Sequence, residues 1–334
     1  MDQIIFFVNK VLVAGVVLGS IYALGAVGVT LIAGILRFSH FAHGDMMTMG
    51  AFITFLFALL ASAMGIHAPV PTGFLVLPLG AAATALIALG IDKVFYAPLR
   101  RRGVASVTLL IASIGVTMML QGLIRLFAGA DTRTFFEYEP KVIYRIDLSW
   151  LGGTRPITVS QPEALMIGLV LVIVIALHLF LSRSRLGKGM RAMADNPDLA
   201  QVSGINTQLV IRITWLIAGA LACVGGTMLA LDVSLKPDLA FNIILPIFAA
   251  AVVGGLGQTY GAIAGGFLVG FAEELGVFDW SVFTRPLKGI APDWIANAPT
   301  LALVPTEYKL TVSFVILVMV LLVRPTGIFK GTST

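Results

Sequence analysis

Two groups of ionisable side chains have the types and spacing to bind a metal, hold a proton or contact a charged solute. His40 and His43 are three residues apart with Asp45 close behind them, and Glu273 is followed directly by Glu274. Imidazole and carboxylate groups on one helical face are common ligands of zinc. No further His, Cys or acidic cluster stands nearby to complete such a site, so we expect no metal and no other cofactor.

Each group also has a purely structural explanation. Asp45 or Ser39 would cap the apolar helix that follows, where a carboxylate meets the positive helix end. Carboxylates such as Glu273 and Glu274 are costly inside a membrane and usually face a cavity or a partner, but near the outer end of a span they would meet water. The sequence leaves the role of these two glutamates open.

The elements that must position these groups are membrane helices. The chain has 334 residues, of which 58% are hydrophobic and only 12% are charged, whereas soluble domains carry about 25% charged residues. This composition predicts an all-α polytopic membrane protein. The net charge of +5 does not indicate nucleic-acid binding, because the basic residues stand mostly at the ends of apolar runs, as membrane topology requires.

Runs of about 20 apolar residues, the length that crosses a bilayer, predict about nine transmembrane helices, with eight to ten as the range. The predicted spans are Val8 to Leu36, Met46 to Met64, a third that ends near Tyr96, Val104 to Ala128, Glu163 to Leu181, Leu209 to Leu231, Asn242 to Gly254, Gly261 to Val277 and Tyr308 to Val323. The seventh is short, so it and the eighth form either full spans or a re-entrant pair.

The basic clusters all fall on one side of this topology, which places the N-terminus outside and the C-terminus in the cytoplasm. Residues 1–334 then form a single transmembrane domain. Segments 129–162 and 278–307 lie on the periplasmic side, and loop 183–208 is cytoplasmic. The first apolar run has no basic cluster before it and no clear cleavage site, so we interpret it as a membrane helix rather than a removed signal.

The cytoplasmic loop has the pattern of two short helices with a sharp corner. Met190 to Ala194 is a good helix-forming run, and Asn196 can cap a second helix with Pro197 at its first position. Leu199, Val202 and Ile205 would share one face of that helix, and Gly204 can end it. Such a corner at the membrane surface suits docking into a groove of a partner.

Four short motifs carry a resemblance to a known family. Asp198-Leu-Ala, three residues and then Gly204-Ile has the spacing of the coupling loop of ABC importer permeases. Arg185-Leu-Gly-Lys-Gly-Met-Arg-Ala, Gly204-Ile-Asn and His40-Phe-Ala-His-Gly-Asp resemble the branched-chain amino acid permease family over residues 10–327. The chain departs from the family pattern at Asp198, at Leu199 and at Ser39-His40.

The resemblance implies the membrane-spanning permease subunit of a bacterial inner-membrane ABC importer. Its partners would be two ABC ATPase subunits, a second permease chain of a different paralogous type and a periplasmic substrate-binding protein. It implies ATPase-coupling residues Arg185, Gly187, Asp195, Asn196, Asp198, Ala200, Gly204 and Ile205, and translocation-path candidates Tyr22, His43, Gly44, Asp45 and Asn242. Permeases of this kind transport branched-chain or other amino acids, small amides or urea.

The lack of a nucleotide-binding motif limits the function further. The chain has no phosphate-binding loop, because Gly187-Lys188-Gly189 lacks the earlier glycine and the hydroxyl residue. We therefore expect no enzyme activity in this chain and ATP hydrolysis in partner subunits. The alternative is a stand-alone secondary transporter or channel, for which Glu273 and Glu274 are the candidate coupling carboxylates.

Overall fold

Long apolar helices make up most of the structure, a computed structural model that describes residues 2–66, 69–137, 139–147, 155–284, 301–324 and 326–329. The helices are α1 (Asp2–Leu36), α2 (His43–Ala63), α3 (Leu77–Arg101), α4 (Ser106–Ala128), α5 (Gln161–Arg183), α6 (Arg185–Asp195), α7 (Pro197–Val202), α8 (Thr207–Asp232), α9 (Ile244–Gly254), α10 (Thr259–Val277) and α11 (Thr306–Val323). Helix α1 is π-helical over Val8–Val13 and α3 over Asp92–Tyr96, and α11 begins with a 3-10 turn.

A small antiparallel pair of strands and two single helical turns complete the secondary structure of the described residues. Strands β1 (Ile143–Ile146) and β2 (Ile157–Ser160) pair antiparallel, with Ile143 opposite Ser160. The single turns are Thr72–Leu75 and Ser281–Thr284.

Seven helices of the described residues, α1 to α5, α8 and α11, are long and apolar enough to cross a membrane. The prediction of an all-α polytopic membrane protein is confirmed. The count of nine is not, because α9 has only 11 residues and α10, with 19 residues, carries both Glu273 and Glu274. The two helices nevertheless form an antiparallel pair at the predicted place in the chain.

The ends of the spans that were predicted to face the cytoplasm meet at one end of the bundle. Gly34 of α1, Leu181 of α5 and Gln258 before α10 line one cavity, and Arg37 lies with Ser106 at the start of α4 around another. We call this the basic end. At the opposite end, the Asn9 side-chain amide donates to the Pro156 carbonyl at 3.2 Å, Arg133 pairs with Leu235, and the Phe7 and Phe278 rings lie 5.4 Å apart.

Small residues allow the helices of the core to approach closely. A Cβ added to Gly19 of α1 would lie 2.9 Å from Cα of Phe267, and a Cβ on Gly270 of α10 would lie 2.6 Å from Cα of Gly19. Helices α1 and α10 therefore pack backbone to backbone, as the spacing of small residues along α1 indicates.

Candidate functional site

Side-chain caps hold the loop between α5 and α8, predicted to be cytoplasmic, in two short helices. The Ser184 hydroxyl accepts from the Gly187 N–H at 2.8 Å, the Asn196 side-chain oxygen from the Leu199 N–H at 3.1 Å, and the Asn206 side-chain oxygen from the Leu209 N–H at 3.0 Å. Asn196 ends α6 and caps α7, as its sequence position predicts. Each helix start thus satisfies one of its free N–H groups within the loop itself.

The glycine after α7 fixes the second corner. Gly204 has a φ of +81°, which L side chains rarely adopt, and its amide donates to the Gln201 carbonyl. A Cβ at this position would have open space around it. The backbone conformation of Gly204, and not crowding, therefore explains the need for glycine.

The loop has an inner face that packs on the bundle and an outer face that presents apolar side chains to solvent. Met190 and Met193 of α6 and Ala200 of α7 are buried, whereas Leu199 is 62% exposed and Val202 is 87% exposed. Ile205, predicted to share a face with Leu199 and Val202, instead packs beside Gly189 of α6. The apolar surface left exposed is therefore concentrated on α7.

The predicted coupling residues divide between these two faces. Exposed are Arg185, Asp195, Asn196, Asp198 and Gly204, buried are Gly187 and Ala200, and Ile205 is half-buried. A Cβ on Gly187 would collide with the backbone of Phe180 and Leu181, so this glycine sets the corner between α5 and α6.

A small cavity lies where the loop meets the bundle. Its volume is about 150 Å³, and its lining includes Thr30 and Gly34 of α1, Met190 and Asp195 of α6, and Tyr260 of α10. The loop therefore packs on α1 and faces the start of α10 across this cavity, in addition to the two helices that it connects.

The segment before α2 turns back into the bundle. A Cβ on Gly28 of α1 would strike the His43 ring, so the start of α2 lies at the level of Gly28. Gly28 is eight residues before the end of α1 at Leu36, which at 1.5 Å per residue places His43 about 12 Å inside that end. Arg37, with a φ of 56°, begins the turn.

The starts of α2 and α9 meet inside the bundle. A Cβ on Gly44 would lie 2.9 Å from the Ala240 carbonyl oxygen and 3.2 Å from Cβ of Ile244, and the Ala240 N–H donates to the Thr48 hydroxyl at 3.0 Å. Asn242, beside this contact in sequence, has an exposed side chain. Two helix N-termini, which carry positive partial charge, therefore lie close together.

The prediction that Asp45 or Ser39 caps α2 is wrong. The N-cap is Ala42, which makes no side-chain cap hydrogen bond, and Asp45 stands within the first turn. Of the expected stabilisation, only the favourable interaction between the Asp45 carboxylate and the positive end of the helix dipole remains. The cap prediction fails because the segment before α2 is folded inward, so that α2 begins at His43 and not after Asp45.

Several polar atoms around this helix start are buried and have no hydrogen-bond partner among the residues that the structure describes. They are both ring nitrogens of His40 and of His43 and one Asp45 oxygen. Asp45 interacts with Thr117 and Gln121 of α4. Burial lowers the pKa of the His40 imidazole well below its usual range, and the nearby His43 ring adds to this effect. Buried polar atoms without partners are costly.

Tyr22, the remaining path candidate, belongs to a different contact. Its hydroxyl donates to a Glu273 carboxylate oxygen at 2.8 Å, and both side chains are buried. Lys309 of α11 pairs with Glu274 at 2.6 Å, with 30% and 14% of the two side chains exposed. The structure thus brings His43, Gly44 and Asp45 together with the segment that contains Asn242, but Tyr22 is not part of this contact. The sequence pattern gave no indication that Lys309 is the partner of Glu274.

The described residues contain no group of three or more His, Cys, Asp or Glu side chains that could hold a metal ion. His40 and His43 lie with their ring centroids 6.2 Å apart in a T-shaped contact.

Comparisons with known proteins give the family. The profile described as branched-chain amino acid transport system / permease component matches residues 11–321. The high-affinity branched-chain amino acid transport system permease protein LivH of Escherichia coli strain K12 is 32% identical over 98% of this chain and 96% of its own. The corresponding protein BraD of Pseudomonas aeruginosa is 31% identical over 98% and 97%. The ribose import permease protein RbsC of Escherichia coli strain K12 is 26% identical over 76% and 74%.

No solved structure matches the chain. The family profile covers most of the residues, the relatives are aligned along almost their whole length, and the described helices form a multi-pass membrane bundle. This protein belongs to the permease family of the branched-chain amino acid transport system.

Proposed function

We propose that this chain is the membrane-spanning subunit of an ABC importer in the bacterial inner membrane, and that it translocates branched-chain or related amino acids. Two ABC ATPase subunits would dock on the loop between α5 and α8, and a second, paralogous permease chain would complete the path. The observation that carries the proposal is the exposed apolar surface of α7, held rigidly by its caps at the basic end of the bundle.

The surroundings of α7 support this partner. Arg183, Arg185, Lys188 and Arg191 support a cytoplasmic position of the loop by the positive-inside rule, on the side where the ATPases of an importer would be. A short amphipathic helix whose apolar side chains face water is a typical ligand for a groove. Movement of the docked ATPases would reach α5 and α8 directly, because α5 ends at the loop and α8 begins there.

The path would run past the start of α2. The N-termini of α2 and α9 offer N–H groups to a substrate carboxylate, and Asp45 offers a negative charge to the substrate ammonium group. A periplasmic binding protein would deliver the substrate at the opposite end, where Arg133, Pro156, Leu235 and Phe278 lie among the described residues. Alternating access would then expose the site to each side in turn.

Co-purification tests the proposal. The tagged chain, expressed with its neighbouring transporter genes and extracted in mild detergent, should retain two ATPase subunits and a second permease chain. The purified assembly should hydrolyse ATP in a vanadate-sensitive reaction that the loaded binding protein stimulates. Recovery of the chain alone, with transport activity in liposomes that lack ATP, would refute the proposal.

A further inference from the structure

Four buried rings form a cluster near the basic end of the bundle, outside the coupling loop and the path candidates. Tyr96 stacks on Trp215 with ring centroids 5.2 Å apart and planes 14° from parallel. The His40 imidazole stands edge-on to both, 5.4 Å from Tyr96 and 5.0 Å from Trp215. Phe38 lies 5.2 Å from Tyr96. We call these four residues the ring cluster.

The ring cluster is closed to solvent and tightly interlocked. His40, Tyr96 and Trp215 are completely buried, and Phe38 is 4% exposed. Offset-stacked and edge-to-face geometries are the favoured ones for ring pairs. Tyr96 and Trp215 are stacked, and His40 stands edge-on to Tyr96, Trp215 and Phe38, whereas Phe38 is tilted by 40° relative to Tyr96. Close-packed side chains of this kind change between discrete arrangements and do not deform continuously, so a shift of one ring displaces the others.

Trp215 and His40 belong to segments that take part in the proposed transport cycle, and Tyr96 belongs to α3, which packs against α8. Trp215 lies in the first third of α8, the helix that leaves the coupling loop at Thr207. Tyr96 ends the π-helical part of α3, an irregularity that often marks functional segments. His40 lies in the link before α2, three residues ahead of His43.

Nearer the opposite end, α8 is fixed to the same two neighbours. A Cβ on Gly219 would lie 2.7 Å from Cβ of Ala88 in α3, and a Cβ on Gly50 of α2 would lie 2.6 Å from Cα of Cys223 in α8. These close contacts leave little room for α8 to slide along α2 and α3. A displacement that enters α8 at Thr207 therefore meets α2 first through Trp215 and His40.

We propose that the ring cluster transmits displacement of the coupling loop to the first turn of α2, which makes Trp215 and His40 positioning residues for translocation. The inference rests on the proposed function. It adds a specific route between the ATPase-docking loop and the helix start that carries His43 and Asp45. It predicts that breaking the cluster separates ATP hydrolysis from substrate movement and does not abolish either assembly or hydrolysis.

The first test measures uptake and ATP hydrolysis together in proteoliposomes that hold the complete transporter. Trp215→Leu keeps an apolar side chain but removes the ring. It should lower uptake per ATP hydrolysed about tenfold while the hydrolysis rate stays within about twofold, as expected for loss of a coupling energy. Trp215→Phe, which restores an aromatic ring, should recover most of the uptake per ATP. Unchanged uptake per ATP in Trp215→Leu overturns the proposal.

A matched control removes a buried ring outside the cluster. Phe55 of α2 is 6% exposed and stands edge-on to Phe135 at 5.3 Å. Phe55→Leu should leave uptake per ATP unchanged. If it lowers that ratio as much as Trp215→Leu does, ring packing in general is responsible and the proposal is wrong.

A second measurement leaves the cluster intact and remains decisive if Trp215→Leu fails to assemble. Replacement of Trp150, Trp280 and Trp294 by Phe leaves Trp215 as the chain's fluorophore, observed in a complex whose partner chains have their tryptophans replaced. Its emission should change between the nucleotide-free and the vanadate-trapped complex. Identical emission in both states overturns the proposal. A wild-type chain that binds no ATPase would instead refute the proposed function, so the two failures are distinguishable.

Discussion

Truncation of the exposed apolar side chains of α7 gives a direct measure of ATPase docking. The variant is Leu199→Ala with Val202→Ala. Both side chains are largely exposed in the isolated chain, and alanine is the best helix former, so α7 itself should persist. The expected effect is therefore on binding of the ATPase and not on the fold.

The magnitude follows from the exposed fractions. The change removes three carbons from Leu199, which is 62% exposed, and two from Val202, which is 87% exposed. At about 0.8 kcal/mol per buried methylene, scaled by these fractions, docking would lose roughly 1.5 kcal/mol at Leu199 and roughly 1.4 kcal/mol at Val202. The total of about 3 kcal/mol corresponds to an affinity for the ATPase that is about 100-fold lower.

The assay is titration of purified ATPase subunit against the permease in detergent, with recovery of the tagged permease as the readout. A matched control is Leu171→Ala with Val172→Ala on α5, where the two side chains are 61% and 62% exposed but lie within a membrane span. The control should bind ATPase like the wild type. A loop variant that binds within threefold of the control would refute the assignment of α7 as the docking helix.

Three further predictions concern single residues. Gly204→Asp would place a non-glycine residue at a φ of +81°, at a cost of about 1–2 kcal/mol, and a charge at the docking surface, so the chain should insert normally but lose substrate-stimulated ATPase activity; normal stimulation would contradict this. Asp45→Asn removes a buried charge that makes no cap, so the thermal midpoint should hold while uptake falls, and unaltered uptake would exclude Asp45 from the path. Glu274→Gln breaks a partly exposed ion pair worth at most about 1 kcal/mol, so ATP-driven uptake should persist; its loss, together with dependence on an ion gradient, would favour the secondary transporter.

The spans were predictable because the bilayer dictates them. A run that must cross about 30 Å of hydrocarbon needs apolar residues throughout its length, so Val104 to Ala128 predicts α4 to within two residues of its start. The same rule underestimates α1, which begins at Asp2 and not at Val8, because its first turns lie at the opposite end among the rings of Phe7 and Phe278. The length of an apolar run does not show how far its helix continues beyond the membrane.

The corner of the loop between α5 and α8 was predictable because its determinants are local. Asn196, Pro197 and Gly204 act through hydrogen bonds and backbone angles within a few residues. The start of α2 was not, because its position depends on a link that turns back toward Gly28 of α1. A cap can be read from sequence only if the true first residue of the helix is known.

Contacts between distant parts of the chain gave no signal in the sequence. Tyr96 and Trp215 are separated by several helices, and each looks like an ordinary aromatic residue in an apolar run. Lys309 likewise stands at the start of a span, where a lysine is expected at the interface, and only packing of α11 on α10 brings it to Glu274.

Uptake by the reconstituted complex under separate energy sources tests the central claim most directly. Proteoliposomes that contain this chain, its partner permease, the ATPases and the loaded binding protein are supplied either with internal ATP or with an imposed ion gradient. The importer function predicts accumulation of a labelled branched-chain amino acid with ATP alone, blocked by vanadate. Accumulation with an ion gradient in the absence of ATP would contradict it.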